Sequence, residues 1–147
     1  MHMSKRMLVL AVVLASVGAA HAQEKRVSIS PKATYDQAVV CYQYYAVAAE
    51  LARKLEKDPR SSADQAAGFQ LQALAAKRAL SGWSGHIENV KGKRTKTQLD
   101  ADLRRLGDAV VADANAALGG DKAAVERNRD RGDKCSGFET VEAAGKS

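Results

Sequence analysis

The chain has 147 residues, with 23 lysines and arginines against 17 aspartates and glutamates, for a net charge of +6. This length supports one small domain with a single core, and excludes a chain of several domains. Abundant alanine, 5% aromatic residues and only two prolines fit a helical protein whose helices approach closely.

The first residues, MHMSKRMLVLAVVLASVGAAHAQ, place Lys5 and Arg6 ahead of an apolar run from Met7 to Ala20. Ala20-His21-Ala22 supplies small residues at the positions a signal peptidase reads, which predicts a signal peptide over 1–22 cleaved between Ala22 and Gln23. A membrane span needs about 20 apolar residues, and this run is shorter. No cysteine follows the cleavage point to carry a lipid, so the expectation is a periplasmic or secreted protein with no stable membrane anchor. Cleavage removes Lys5 and Arg6 and no acid, so the charge falls from +6 to a mild +4.

Residues 23–147 read as one all-α domain, an up-down-up-down four-helix bundle. The first helix is expected over 31–58, from Pro31 and a capping box at Thr34 and Gln37 to the stop at Pro59. Ala38, Cys41, Tyr45, Ala48, Ala52 and Leu55 recur at spacings of three and four, which defines its core stripe. A second helix over 62–91 starts at Ser62 with Gln65. Phe69, Ala73, Ala76, Leu80, Trp83, Ile87 and Val90 hold the helical phase through Gly82 and Gly85, so the helix is read as continuous and Gly82→Ala is expected to be neutral or stabilising.

The connector KGKRTK carries four positive charges in six residues. No aromatic residue interleaves with them, so it reads as a solvated loop and nucleic acid is not an expected partner. Thr97 with Asp100 is then taken to begin a third helix over 97–118, with Leu99, Leu103, Leu106, Val110, Ala114 and Ala117 as its seam and Gly119-Gly120 as its stop. Asp121 caps a fourth helix, 121–137, whose face of Val125, Asn128, Gly132 and Cys135 is too small and polar to hold it down. The stretches 23–30 and 139–147 show no pattern and are expected to fray.

In such a bundle the first and fourth helices are antiparallel neighbours, which brings Cys41 and Cys135 to the same end. An exported protein with cysteines so placed is expected to join them in a disulfide, and this supplies the missing pin for the fourth helix. The cysteines lack the C-x-x-C spacing of a redox pair. The layout resembles the exported four-helix cytochromes such as cytochrome c′, in which the last helix carries C-x-x-C-H. Here Ser136, Gly137, Phe138 and Glu139 follow Cys135, so the second thioether position and the axial histidine are missing, and no haem or other cofactor is expected.

No catalytic or metal-binding residue is assigned. His86, the one histidine left after cleavage, reads as a surface or helix-edge residue, since a base needs an orienting partner and a metal needs more ligands. The paired acids Asp100 and Asp102, and Asp108 and Asp113, alternate with arginine as a solvated face does. Arg131-Gly132-Asp133 lies inside a helix and is read as a chance match to an adhesion tripeptide. Tyr35, Tyr42 and Tyr44 flank the core stripe and form a possible recognition surface, the alternative being that they pack under the fourth helix. The leading expectation is non-catalytic binding of another protein or a cell-envelope component. One subtype is an immunity protein neutralising a secreted toxin, and the rival is an enzyme or cofactor carrier built on residues such as Tyr42, His86, Arg127, Arg129 and Arg131.

Overall fold

The structure, a computed structural model, describes residues 25–143. The expected signal peptide, its cleavage point and the last four residues lie outside the described residues. In chain order the elements are β1 (Lys25–Ile29), α1 (Tyr35–Glu56), α2 (Ala63–Val90), α3 (Lys96–Leu118), α4 (Lys122–Ser136) and β2 (Glu139–Ala143). Among the described residues the protein is mostly helical, with four helices and a disulfide between Cys41 and Cys135.

Side chains fix where the helices start. Thr34 accepts from the Gln37 amide at 3.3 Å while the Gln37 side chain accepts from the Thr34 amide at 2.8 Å, so α1 starts after Thr34 and Pro31 stays in the preceding turn. Ser62 and Gln65 do the same for α2. α3 begins one residue before the expected start and its cap lies two residues earlier, because Thr95 and Gln98 form the same reciprocal pair at the same spacing as Thr34 and Gln37. The helix therefore absorbs the end of KGKRTK, and Gly92 turns the remaining connector with a φ of +61° that favours glycine. Asp121 caps α4 by accepting from the Ala124 amide at 3.2 Å.

α1 is the central element and packs against α2, α3 and α4. Ala38, Ala48, Ala49 and Ala52 on α1, with Ala75, Ala76 and Ala79 on α2, are fully buried, and their small side chains let the two backbones approach. α2 is continuous through Gly82 and Gly85, and Trp83 between them is fully buried. Across the α1–α3 contact, Gly107 makes room for Gln43, whose Cγ would lie 2.6 Å from an added methyl.

Within the terminal stretches expected to fray, Lys25–Ile29 and Glu139–Ala143 instead pair as an antiparallel ribbon. Lys25 lies opposite Ala143, Val27 opposite Val141 and Ile29 opposite Glu139, and the Ser30 amide donates to the Phe138 carbonyl at 2.7 Å. Two contacts with α2 hold the ribbon. Val27 is buried with its carbonyl oxygen against Gly82, and the Trp83 indole N–H donates to Glu139 Oε1 at 2.9 Å. This also reverses the expectation for Gly82. The helix is unbroken there, yet a methyl on Gly82 would meet the Val27 carbonyl oxygen at 2.5 Å, so alanine is not benign.

Candidate binding groove

The first two turns of α1 and the last turn of α4 enclose an open groove of about 540 Å³. Its apolar wall is made by Val40, Phe138 and the Cys41–Cys135 disulfide; the exposed Asp36, Gln37 and Lys134 stand at its polar edge, and the half-buried Arg131 also lines it. The two half-cystines are themselves buried, with a Cα–Cα separation of 5.6 Å. Lys134 pairs with Asp130 at 2.8 Å, but both side chains are well exposed, so water screens the pair and the lysine can turn toward a bound group. An apolar cavity of this volume with a few polar groups at its edge has the dimensions and chemistry of a ligand or side-chain pocket.

The tyrosines do not form the exposed surface considered from the sequence. Tyr44 is 2% exposed and meets Tyr45 edge to face with ring centroids 5.1 Å apart. Tyr35 is 8% exposed. Its hydroxyl donates to Asp102 Oδ2 at 2.9 Å, and the Arg94 guanidinium lies 3.8 Å above its ring. Tyr42 is half-buried and packs on the core. Burial, followed by the hydrogen bond to Asp102, raises the Tyr35 hydroxyl above the ordinary tyrosine value. The reason is geometric: α1 packs against three other helices, and its solvent face is carried by residues such as Asp36, Gln37, Glu50 and Lys54 rather than by Tyr35 or Tyr44.

His86 is buried rather than at the helix edge. Its Nε2 lies 2.8 Å from the Ala33 carbonyl oxygen and its ring meets Trp83 edge to face, so it ties the turn before α1 to the second half of α2. Arg127 and Arg131, one turn apart on α4, both bind Asp113 of α3, at 2.8 and 3.0 Å. Arg131 also donates to the buried Asn128 Oδ1 at 2.9 Å. The Arg127 hydrogen bond and, next among the favourable contacts, that of Arg131 hold the Asp113 carboxyl below the usual carboxylate range. Hydrogen bonds from Arg105 and then Tyr35 lower Asp102 in the same way. These two acids are half-buried interhelical anchors, whereas the sequence pattern reads as a solvated face. Arg129 is exposed and pairs with Glu126 of its own helix.

The residues that could have formed a catalytic centre thus have separate partners. His86 engages the α1 approach, Arg127 and Arg131 engage Asp113, and Tyr42 lies on the core. Arg131-Gly132-Asp133 lies within α4. Among the described residues no three His, Cys, Asp or Glu side chains are grouped so as to hold a metal, and no helix is long and apolar enough to cross a membrane.

Glu139 is the residue with the least signal in the sequence. It accepts from Trp83 and hydrogen-bonds the buried Tyr45 hydroxyl, thereby joining β2 to both α1 and α2. Burial first, and then the Glu139 charge, push the Tyr45 hydroxyl well above the ordinary tyrosine value. Comparison with protein families, curated proteins and solved structures gives no match for this chain.

Proposed function

We propose that this is an exported, periplasmic helical-bundle protein that acts by binding another protein or a cell-envelope component, without catalysis. The groove beside the disulfide carries this reading. It is open and largely apolar, with Asp36, Lys134 and the half-buried Arg131 as its charged lining, and sits where the disulfide fixes the relative position of its two walls. In this reading residues 1–22 direct export and are removed before Gln23, and the helices run up-down-up-down so that the amino end of α1 and the carboxyl end of α4 lie together. The disulfide supports an oxidising destination.

The test is affinity capture from a periplasmic extract with the parent chain and a Val40→Arg variant. Val40 lines the groove and is only partly buried, so a long charged side chain can fill the cavity while its head reaches water. One partner retained stoichiometrically by the parent and lost by the variant is the expected result. A purified protein that carries a chromophore or metal, or a partner held equally by both chains, would overturn it.

A further inference from the structure

The two edges of the terminal ribbon differ. The Ser30 amide donates to Phe138, and these residues lie opposite each other in the register. Antiparallel pairing alternates, so Ser28 with Thr140 and Arg26 with Glu142 are also hydrogen-bonded pairs. Val27 and Val141 form a pair of the other kind, and their N–H and C=O groups point out of the ribbon. On the β1 side α2 closes this edge, where the Val27 carbonyl faces Gly82. On the β2 side no described helix packs along the strand.

We propose that the outer edge of β2 pairs with β2 of a second copy of this chain, antiparallel and centred on Val141. That register is the one that pairs the strand over its whole length. Only odd-numbered residues offer outward backbone groups, so an antiparallel partner must align odd with odd. Centring on Val141 matches all five residues of Glu139–Ala143. It sets Val141 opposite its own copy, where the two residues exchange a pair of hydrogen bonds, and Thr140 opposite the partner's Glu142. No glutamate faces a glutamate, and each Glu142 keeps Arg26 of its own chain on the other side. Centring on Glu139 would instead oppose two carboxylates. The result is a four-stranded sheet with the order β1-β2-β2-β1 and a two-fold axis at Val141, the isologous arrangement commonest among dimers. An interface of one short strand per chain is small, and it belongs with weak, concentration-dependent contacts.

Sedimentation equilibrium over a concentration series tests this with the oxidised protein and three variants. The parent is expected to rise from one chain mass toward two. Val141→Pro removes only an outward N–H, so it should abolish the rise while leaving the helical circular dichroism in place. Thr140 is exposed and lies opposite Glu142 in the dimer alone, so Thr140→Lys should tighten association several-fold and Thr140→Glu should weaken it. A parent that stays at one chain mass throughout, association untouched by Val141→Pro, or equal effects of lysine and glutamate at Thr140 would each overturn the proposal. If the proline variant unfolds, the opposite shifts at Thr140 still decide it.

Discussion

Gly82 and Gly85 sit one turn apart in the same helix, yet alanine should have opposite effects at the two positions. Alanine is favoured over glycine in a helix interior by about 1 kcal/mol. Gly85 is exposed and nothing lies within 4 Å of where its methyl would go, so Gly85→Ala keeps that gain, roughly 0.5–1 kcal/mol of stabilisation. At Gly82 the same methyl would lie 2.5 Å from the Val27 carbonyl oxygen and 3.3 Å from both its carbonyl carbon and its Cβ. Ordinary contact begins near 3.4 Å, and the atoms in the way are mainly backbone, tied into the ribbon through the β1–β2 register. Overpacking of this kind costs about 2–3 kcal/mol. Subtracting the helix gain leaves Gly82→Ala destabilised by roughly 1–2 kcal/mol. Chemical denaturation of both single variants beside the parent separates the two signs, and amide exchange along Lys25–Ile29 should speed up in Gly82→Ala only. If the two variants were stabilised alike, β1 could not lie on α2 at this point, and the described path of the chain termini would be wrong.

Other outcomes follow from the remaining anchors. Cys135→Ser opens a loop of 94 residues, and loop-closure entropy sets an upper limit of about 4–5 kcal/mol on the loss. An unfolding midpoint identical to that of the parent under oxidising conditions would show the crosslink to be idle. Asp113→Asn weakens the arginine clamp between α3 and α4 by roughly 1 kcal/mol, a figure kept small because Arg127 is half exposed and screened by solvent. Because the Asp113 carboxyl is held below its unfolded value, its contribution is complete above about pH 4 and is lost as the pH falls through the lower folded value. The parent should therefore lose stability faster than Asp113→Asn below about pH 4, and parallel acid titration curves would contradict the assignment. Glu139→Ala strips the acceptor from the buried Trp83 indole and should cost about 1–3 kcal/mol, with a shift in the emission of this lone tryptophan; unchanged emission would place the indole N–H elsewhere.

What could be read from the sequence was local in origin. Thr34-x-x-Gln37 and Ser62-x-x-Gln65 announce two helix starts because each capping box closes within four residues. The unbroken phase from Phe69 to Val90 was enough to carry α2 through two glycines. The third start went to Thr97 because two equally spaced candidates overlap there, and spacing alone does not favour Thr95 over Thr97. The ribbon was not legible: ETVEA has a single β-branched apolar residue and its partner strand lies at the far end of the chain. Its stability comes from Trp83 and Gly82, which local pattern does not connect to it. Asp102, Asp113 and Glu139 were missed for the same reason, since an acid anchored by distant arginine, tyrosine or tryptophan looks like any surface acid when read along the chain. The disulfide was legible because the sequence reading set Cys41 and Cys135 at matching heights on helices expected to be neighbours, but the groove beside it was not, because a cavity is set by how the helices are spaced.

The antiparallel pairing of Lys25 with Ala143 also determines how the molecule would respond to being pulled. A load applied at the two ends acts on the adjacent open end of the ribbon, so its rungs separate one after another like a zipper, starting at Lys25 and Ala143. Once the ribbon has opened, among the described residues only the stretches 25–41 and 135–143 can lengthen, because the Cys41–Cys135 bond then takes the tension. Everything between those cysteines, including α2, α3 and nearly all of α4, is shielded from the load. These two stretches form a short compliant leash, and the helices between the two cysteines form a body that tension along the chain does not reach.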